Sequence, residues 1–408
     1  MKLNIPRLLV ITLACASAFV VIIKVRAEED SSPLASMLPK PEQTPAVTAA
    51  QQDKPTEQVQ KNIKVLTGLP QWQLIPVMNY IAASMGRRCN FCHVNNSGQW
   101  DYASDEKQEK NTAREMIKMV LDLNKTSFKG ILEVSCYTCH RGADHPASIP
   151  TLPLPVPSPA GSGRPGGPGA GAPGAQPQGS PTPRPPQPTS DEILKKYVDA
   201  IGGQAAIDKI TSRVMKGEVS TANGNSGTYE AMQIAPDRGY ESFVTQRGNM
   251  ERAFTGTVGW ERTAQGVREL SGQELTDLKL SMQLFRNLKL KEQFTALRMA
   301  GRDRIGDRAA LVVLGTTPEK KRERLFFDAE SGLLLRRITY LETMIGVIPQ
   351  QVDFDDYRDV DGVKLPFTIR LSIVDSTNPY GMRKLSEIKL NAPVDESKFK
   401  MPPKPATP

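Results

Sequence analysis

The sequence predicts a multidomain chain: a small all-α domain, a Pro/Gly-rich linker, then an α+β domain with a curved antiparallel sheet. Three observations predict it. The pentad Cys-x-x-Cys-His occurs as Cys89-Asn90-Phe91-Cys92-His93 and again as Cys136-Tyr137-Thr138-Cys139-His140, each behind a stretch with helical apolar spacing. Composition turns abruptly to Pro, Gly, Ala and Ser between Pro146 and Thr189. Beyond Ser190, β-prone runs alternate with turn signals.

Taken in order, residues 1–27 carry Lys2 and Arg7, a charge-free, mostly apolar run from Leu8 to Ile23, and then Lys24. Val25-Arg26-Ala27 loosely fits a small-residue cleavage site. The run is short for a membrane span of about 20 residues. It reads as a signal peptide cut before Glu28, or as an uncleaved anchor to the inner membrane through residues 8–23. Cys15 would suit a lipoprotein signal only if the apolar run stopped there, and it continues. Both readings export the chain to the periplasm. Residues 28–61, polar and rich in Pro, Gln and Glu, read as a flexible tether.

Residues 62–145 hold the chemistry. The chain has 5 Cys and 3 His. Four of these Cys and two of the His fall in the two pentads, the attachment sequence for c-type haem. The two thiols must stand about one helical turn apart to reach two vinyl groups on one porphyrin edge, and the adjacent imidazole lies under the ring as proximal ligand. Covalent attachment is thus assigned to Cys89 and Cys92 and to Cys136 and Cys139, with proximal iron ligands His93 and His140. Zinc is one alternative, but paired Cys-x-x-Cys zinc sites leave about 15–20 residues between pairs, and Cys92 is much farther from Cys136. Two disulfides are another, but so short a loop is strained.

A helix ahead of each pentad offers a distal ligand. The first starts near Pro76, closes at Gly86 and carries Met78 and Met85; the second, with Thr112 as expected N-cap, carries Met116 and Met119. A thioether opposite an imidazole gives a six-coordinate, raised-potential iron suited to electron transfer; alternatively these Met residues fill a core. Residues three or seven apart share a helix face, so spacing leaves the choice within each pair open. The polar loop 94–111 brings Trp100 and Tyr102, either as haem cover or as ordinary packing. Arg87, Arg88 and Arg141 are candidates for haem propionates. His145 would make a bis-His haem, or is simply solvated.

The stretches Pro76-Val-Met-Asn-Tyr-Ile-Ala-Ala-Ser-Met-Gly-Arg-Arg-Cys-Asn-Phe-Cys-His93 and Thr112-Ala-Arg-Glu-Met-Ile-Lys-Met-Val120, with Cys136-Tyr-Thr-Cys-His-Arg-Gly142, carry a resemblance. The segment from about Val65 to Gly142 resembles the c-type cytochrome subunit of photosynthetic reaction centres. The resemblance implies helix–turn–pentad units with one haem each, two haem c in all, and Met on each helix as distal ligand: Met78 for the first, Met116 for the second, with Met119 as its alternative. That subunit typically carries four such pentads and this chain has two, so a photosynthetic role does not follow.

Residues 146–189 read as the linker, and 190–402 as the second domain. Ser190 to Gly202 reads as a capped amphipathic helix, 204–210 as a second, and 272–285 as a third. Strands are expected at 214–220, 229–234, 239–245, 311–315, 324–328, 333–341 and 367–374, with turns at 328–332 and 359–362. The runs Arg324 to Arg337 and Val352 to Phe367 resemble hairpins of the half-barrel in periplasmic lipoprotein carriers. That resemblance implies a concave face for a lipid or other apolar ligand, unless the face packs on its own helices. This domain lacks His and Cys. Its carboxylates Asp353, Asp355, Asp356 and Asp359 read as a solvated strand edge rather than an active site.

The net charge of +8 is scattered along the chain rather than clustered, and with export this excludes nucleic acid as a partner. The expected partners are periplasmic or membrane-bound redox proteins. The expected function is electron transfer through two His/Met-ligated haems. The alternatives are a dihaem peroxidase-like enzyme and a periplasmic carrier with a redox head.

Overall fold

The computed structural model describes residues 54–148, 187–221, 224–246, 248–373 and 380–403. The expected export segment with Cys15 and most of the expected linker lie outside them.

The head contains helices α1 (Thr56–Val59), α2 (Leu74–Ser84), α3 (Gln108–Thr126) and α4 (Cys136–His140). It is not all-α. Strands β1 (Val94–Asn96) and β2 (Gln99–Asp101) form a hairpin within the stretch expected to be a polar loop. Ser97 and Gly98 turn it with φ of 51° and 94°, a two-residue turn with positive φ at both positions. Residues 54–61, assigned above to the tether, are folded onto the head: Thr56 is fully buried and its N–H and hydroxyl donate to the Leu69 carbonyl at 2.8 and 2.7 Å.

Helix α2 begins two residues before Pro76, which sits in the first turn where its missing N–H has no intrahelical partner to lose. Helix α3 begins at Gln108, so Thr112 is interior rather than the N-cap. The reason is tertiary. Lys110 and Arg114, one turn apart, both reach Asp105 (3.2 and 2.8 Å), and these ion pairs draw the helix start toward that carboxylate.

The second domain begins with α5 (Ser190–Ala200), capped by Thr189 rather than Ser190, and α6 (Gln204–Ile207). The strands that follow are β3 (Ser212–Thr221), β4 (Ser226–Ile234), β5 (Arg238–Thr245), β6 (Gly248–Phe254), β7 (Gly259–Thr263) and β8 (Gly266–Leu270). After α7 (Gly272–Met282) come β9 (Ala296–Ile305), β10 (Arg308–Thr316), β11 (Arg322–Asp328), β12 (Leu334–Thr343), β13 (Gly346–Val360), β14 (Val363–Ile373) and β15 (Gly381–Leu390).

Among the described residues β3 to β15 form one antiparallel sheet ordered β8-β7-β6-β5-β4-β3-β15-β14-β13-β12-β11-β10-β9. The chain leaves the middle at β3, meanders to one edge, crosses by α7 to the other, and meanders back so that β15 pairs with β3. The expected Asp-Gly turn joins β13 to β14, with Asp361 and Gly362 at φ of 52° and 81°.

The largest apolar cluster lies between the sheet and α5. Tyr197 and Ile201 of the helix, with Leu284 and Leu288 from the segment after α7, meet Val313, Leu325, Phe327 and Leu334 of the strands. These side chains cover that part of the sheet. A second cluster spans both domains. Val77, Tyr80 and Ile81 of α2 and Ile117 of α3 pack with Leu341, Ile345 and Ile348 of the β12–β13 hairpin and Ile373 of β14. The Gln73 side chain donates to the Glu342 carbonyl across this junction at 3.2 Å.

Candidate haem-binding site

The first pentad is a 3-10 turn, Cys89–Phe91, closed by the His93 N–H on the Cys89 carbonyl at 2.9 Å. Cys89, Cys92 and His93 therefore share one turn. The second pentad is α4 itself, and Thr138 Oγ1 accepts from the Ser135 N–H at 3.0 Å. Tyr80 of α2 donates its hydroxyl to Ser135 Oγ at 2.7 Å, locking α4 onto the helix that carries Met78.

Two glycines set the spacing of the pentads. Gly86 ends the turn after α2 at φ +61°, and a Cβ there would stand 2.2 Å from the Gly142 carbonyl oxygen. The Gly142 N–H returns a bond to the Ser84 carbonyl at 2.8 Å. The approach to the first pentad and the exit from the second thus touch backbone to backbone.

All four pentad cysteines are free thiols. Burial pushes the Cys136 thiol up to about 11, and burial followed by the nearby Glu109 charge raises Cys92. Among the described residues no three His, Cys, Asp or Glu side chains are grouped to hold a metal ion.

The His140 imidazole is oriented by backbone. His140 Nδ1 meets the Ala143 carbonyl at 2.9 Å, which leaves Nε2 as the free lone pair when Nδ1 donates. The Tyr102 ring meets the His93 ring edge-on, centroids 5.2 Å apart, and Trp100 stacks on Tyr102 at 5.3 Å. The β1–β2 hairpin therefore delivers both aromatics to the first pentad. His93 Nδ1 is buried without a partner. Burial, then the charges of Lys110, Arg114 and Lys107, lower the His93 pKa, while a hydrogen bond to the Tyr102 backbone opposes them. A neutral, oriented imidazole is the form that binds a metal.

Met78 and Met85 are half-buried against the shared cluster. Met116 and Met119 lie on the outer side of α3, 44% and 49% exposed. Tyr102, Phe128, Ile131 and Tyr137 are exposed in the same small head. A covalently held macrocycle beside each pentad would cover side chains of this kind. The donor set of thiols, imidazoles and thioethers suits haem c as well.

Other residues singled out by sequence take structural roles. Arg87 pairs with Asp144 and stacks over Phe91, 5.0 Å from the ring centre. Arg141 takes a left-handed conformation, φ 48°, and its Nε reaches the Thr138 carbonyl at 3.4 Å. His145 is exposed. In the sheet domain Asp353, Asp355 and Asp356 pair with Arg336, Arg370 and Arg358 at 2.5, 3.2 and 2.6 Å, and Asp359 caps the turn at Gly362. Sequence reasoning missed the group around Asp105, which gathers Lys64 (2.7 Å), Asn62 (2.7 Å), Arg114 (2.8 Å) and Lys110 (3.2 Å) beside the first pentad. Its members are far apart in sequence, and the spacing of Lys110 and Arg114 was the only local trace.

Comparison with known proteins agrees with the head's resemblance. Residues 22–161 match the family model of the photosynthetic reaction centre cytochrome C subunit. The photosynthetic reaction center cytochrome c subunit of Rubrivivax gelatinosus is 32% identical over 123 residues, covering 28% of this chain and 32% of that protein. Cytochrome c-554 of Chloroflexus aurantiacus is 34% identical over 89 residues, 20% of each. The chain thus spans about a third or less of these curated relatives. A LolA superfamily protein from Nitrosomonas europaea aligns with 52% of this chain and 98% of its own, at 12% identity and a TM-score of 0.37. A DUF1329 family protein from Desulfovibrio piger aligns with 52% of this chain and 97% of its own, also at 12% and 0.37.

Proposed function

We propose that this chain is an exported dihaem c-type cytochrome that transfers electrons between periplasmic or membrane-bound redox partners. The observation that carries the reading is the repeated unit: a Met-bearing helix followed by one turn that presents two thiols and an imidazole. Cys89 and Cys92 hold one haem c and Cys136 and Cys139 the other, with His93 and His140 as proximal ligands. Met78 and Met116 are the distal ligands, Met119 being the alternative to Met116. Haem c supplies a one-electron couple when bound. The residues around it serve that couple: the Ala143 carbonyl holds the His140 imidazole in orientation, the Tyr102 ring stands edge-on against His93, and the exposed apolar side chains of α3 and α4 become covered, excluding water.

The test is a pyridine haemochrome assay on the matured full chain, which should count two haems of c type. A colourless protein, or zinc on the thiols, overturns the reading. The reduced protein should not bind carbon monoxide quickly, and rapid binding at one haem would favour the peroxidase-like alternative. Met78→Ala and Met116→Ala should each open one haem to carbon monoxide. If Met119→Ala does so in place of Met116→Ala, the second ligand is reassigned.

A further inference from the structure

We propose that Arg87, although it leads into the first pentad, is a positioning residue for the second haem: it fixes the carbonyl that orients the His140 imidazole. The inference rests on the haem reading above.

The acceptor for that imidazole is built by a tight turn. Arg141 and Gly142 take φ of 48° and 90°, and the Ala143 N–H closes on the His140 carbonyl at 2.9 Å. The turn folds the chain back so that the Ala143 carbonyl meets His140 Nδ1, also at 2.9 Å. A carbonyl that takes the Nδ1 proton fixes the tautomer, leaves Nε2 for iron and makes the ring a stronger donor.

Two contacts from the end of α2 hold this turn, one on each side of Ala143. Before it, the Gly142 N–H donates to the Ser84 carbonyl at 2.8 Å, in the close approach that Gly86 permits. After it, the Asp144 carboxylate is paired with Arg87. Arg87 is itself well placed. Its N–H donates to the Ala82 carbonyl at 3.0 Å, and its guanidinium stands 5.0 Å from the Phe91 ring centre. One side chain thus touches the first pentad and, through Asp144, the turn behind the second. The other ionisable groups of residues 141–145 are Arg141, whose Nε reaches the Thr138 carbonyl at 3.4 Å, and the exposed His145. The Arg87 and Asp144 side chains are 46% and 25% exposed. An ion pair so exposed adds little to folding stability, and its consequence is local, at one carbonyl.

The experiment is NMR on the reduced, haem-loaded full chain with isotope-labelled histidine, timing solvent exchange of the Nδ1 proton on each haem imidazole. Cys139→Ala displaces the second-haem signals and tells the two imidazoles apart. Arg87→Gln and Asp144→Ala should each speed exchange at His140 by about two- to fivefold, as local opening rises when an exposed ion pair is lost. Exchange at His93 should not change. The swapped pair, Arg87→Asp with Asp144→Arg, should restore the slow rate. Charge alone would act with opposite signs in the two single variants, whereas a loosened carbonyl acts with the same sign in both. The idea is overturned if exchange at His140 is unchanged or moves oppositely in the two variants, if both imidazoles speed up equally, or if the swapped pair stays fast. Should Arg87→Gln fail to accumulate loaded protein, Asp144→Ala, which lies beyond both pentads, decides. Variants that keep two haems per chain without faster exchange sink this inference alone, whereas a wild type without haem sinks the functional reading with it.

Discussion

Asp105 shows what one side chain does for the head. Its hydrogen bonds, led by that from Lys64, hold its carboxyl well below the ordinary value of 3.8. Because the folded pKa is depressed, the carboxylate contributes stability above the ordinary value. That contribution fades as pH falls below 3.8 and is gone once pH passes the folded value. Acid unfolding followed by circular dichroism should therefore show Asp105→Asn less stable than wild type near neutrality, with the gap closing on acidification. A gap constant with pH would count against the ion-pair account. The same group joins Asn62, the loop after β2 and the start of α3, so one carboxylate ties three segments together. The buried Glu323 does comparable work under the sheet, with Arg286 at 2.6 Å and Arg337 at 3.3 Å.

At the scale of elements, turns carry much of the geometry. Gly86 combines a positive φ with a backbone contact too close for any Cβ. Gly86→Ala should cost about 1–3 kcal/mol from conformational strain alone, with chemical denaturation as the measurement. A variant as stable as wild type would mean that the Gly86–Gly142 contact does not form. The capping box at α5, in which Thr189 and Glu192 bond reciprocally (3.2 and 2.7 Å), was legible as a capped start, though one residue late. Strands β6 to β8 were not legible. They pair Glu251 opposite Arg262 and Glu261 opposite Arg268, so cross-strand ion pairs stand where an alternating apolar pattern would have betrayed a strand.

The whole molecule is organised by the contact between its two domains. Ile345 and Ile348 of the β12–β13 hairpin are 1% and 0% exposed because α2 covers them, and Cys136 packs on the same cluster. A small head with a limited apolar interior borrows core from the sheet. Ile348→Ala should cost about 2–5 kcal/mol. In the haem-loaded chain proposed above, the loss should appear in thermal melting read at the Soret band as well as in the far ultraviolet. A Soret midpoint unchanged while the sheet melts earlier would refute this coupling. Within the sheet half, Tyr197 and Ile201 pack against the strands in the largest apolar cluster.

Local chemistry was written in the sequence. The pentads, the Met-bearing helices, the capped helix at 190 and the Asp-Gly hairpin at 361 each depend on residues close together in the chain, so spacing alone reveals them. Only the tertiary structure decided the rest: that residues 54–61 belong to the head, that Thr112 is interior, that Lys110 is buried against the carbonyls of Tyr102, Ala103 and Ser104, and that the β12–β13 hairpin packs on α2. Each of these depends on partners brought together by burial or by charge from distant positions, and no local pattern encodes such a meeting.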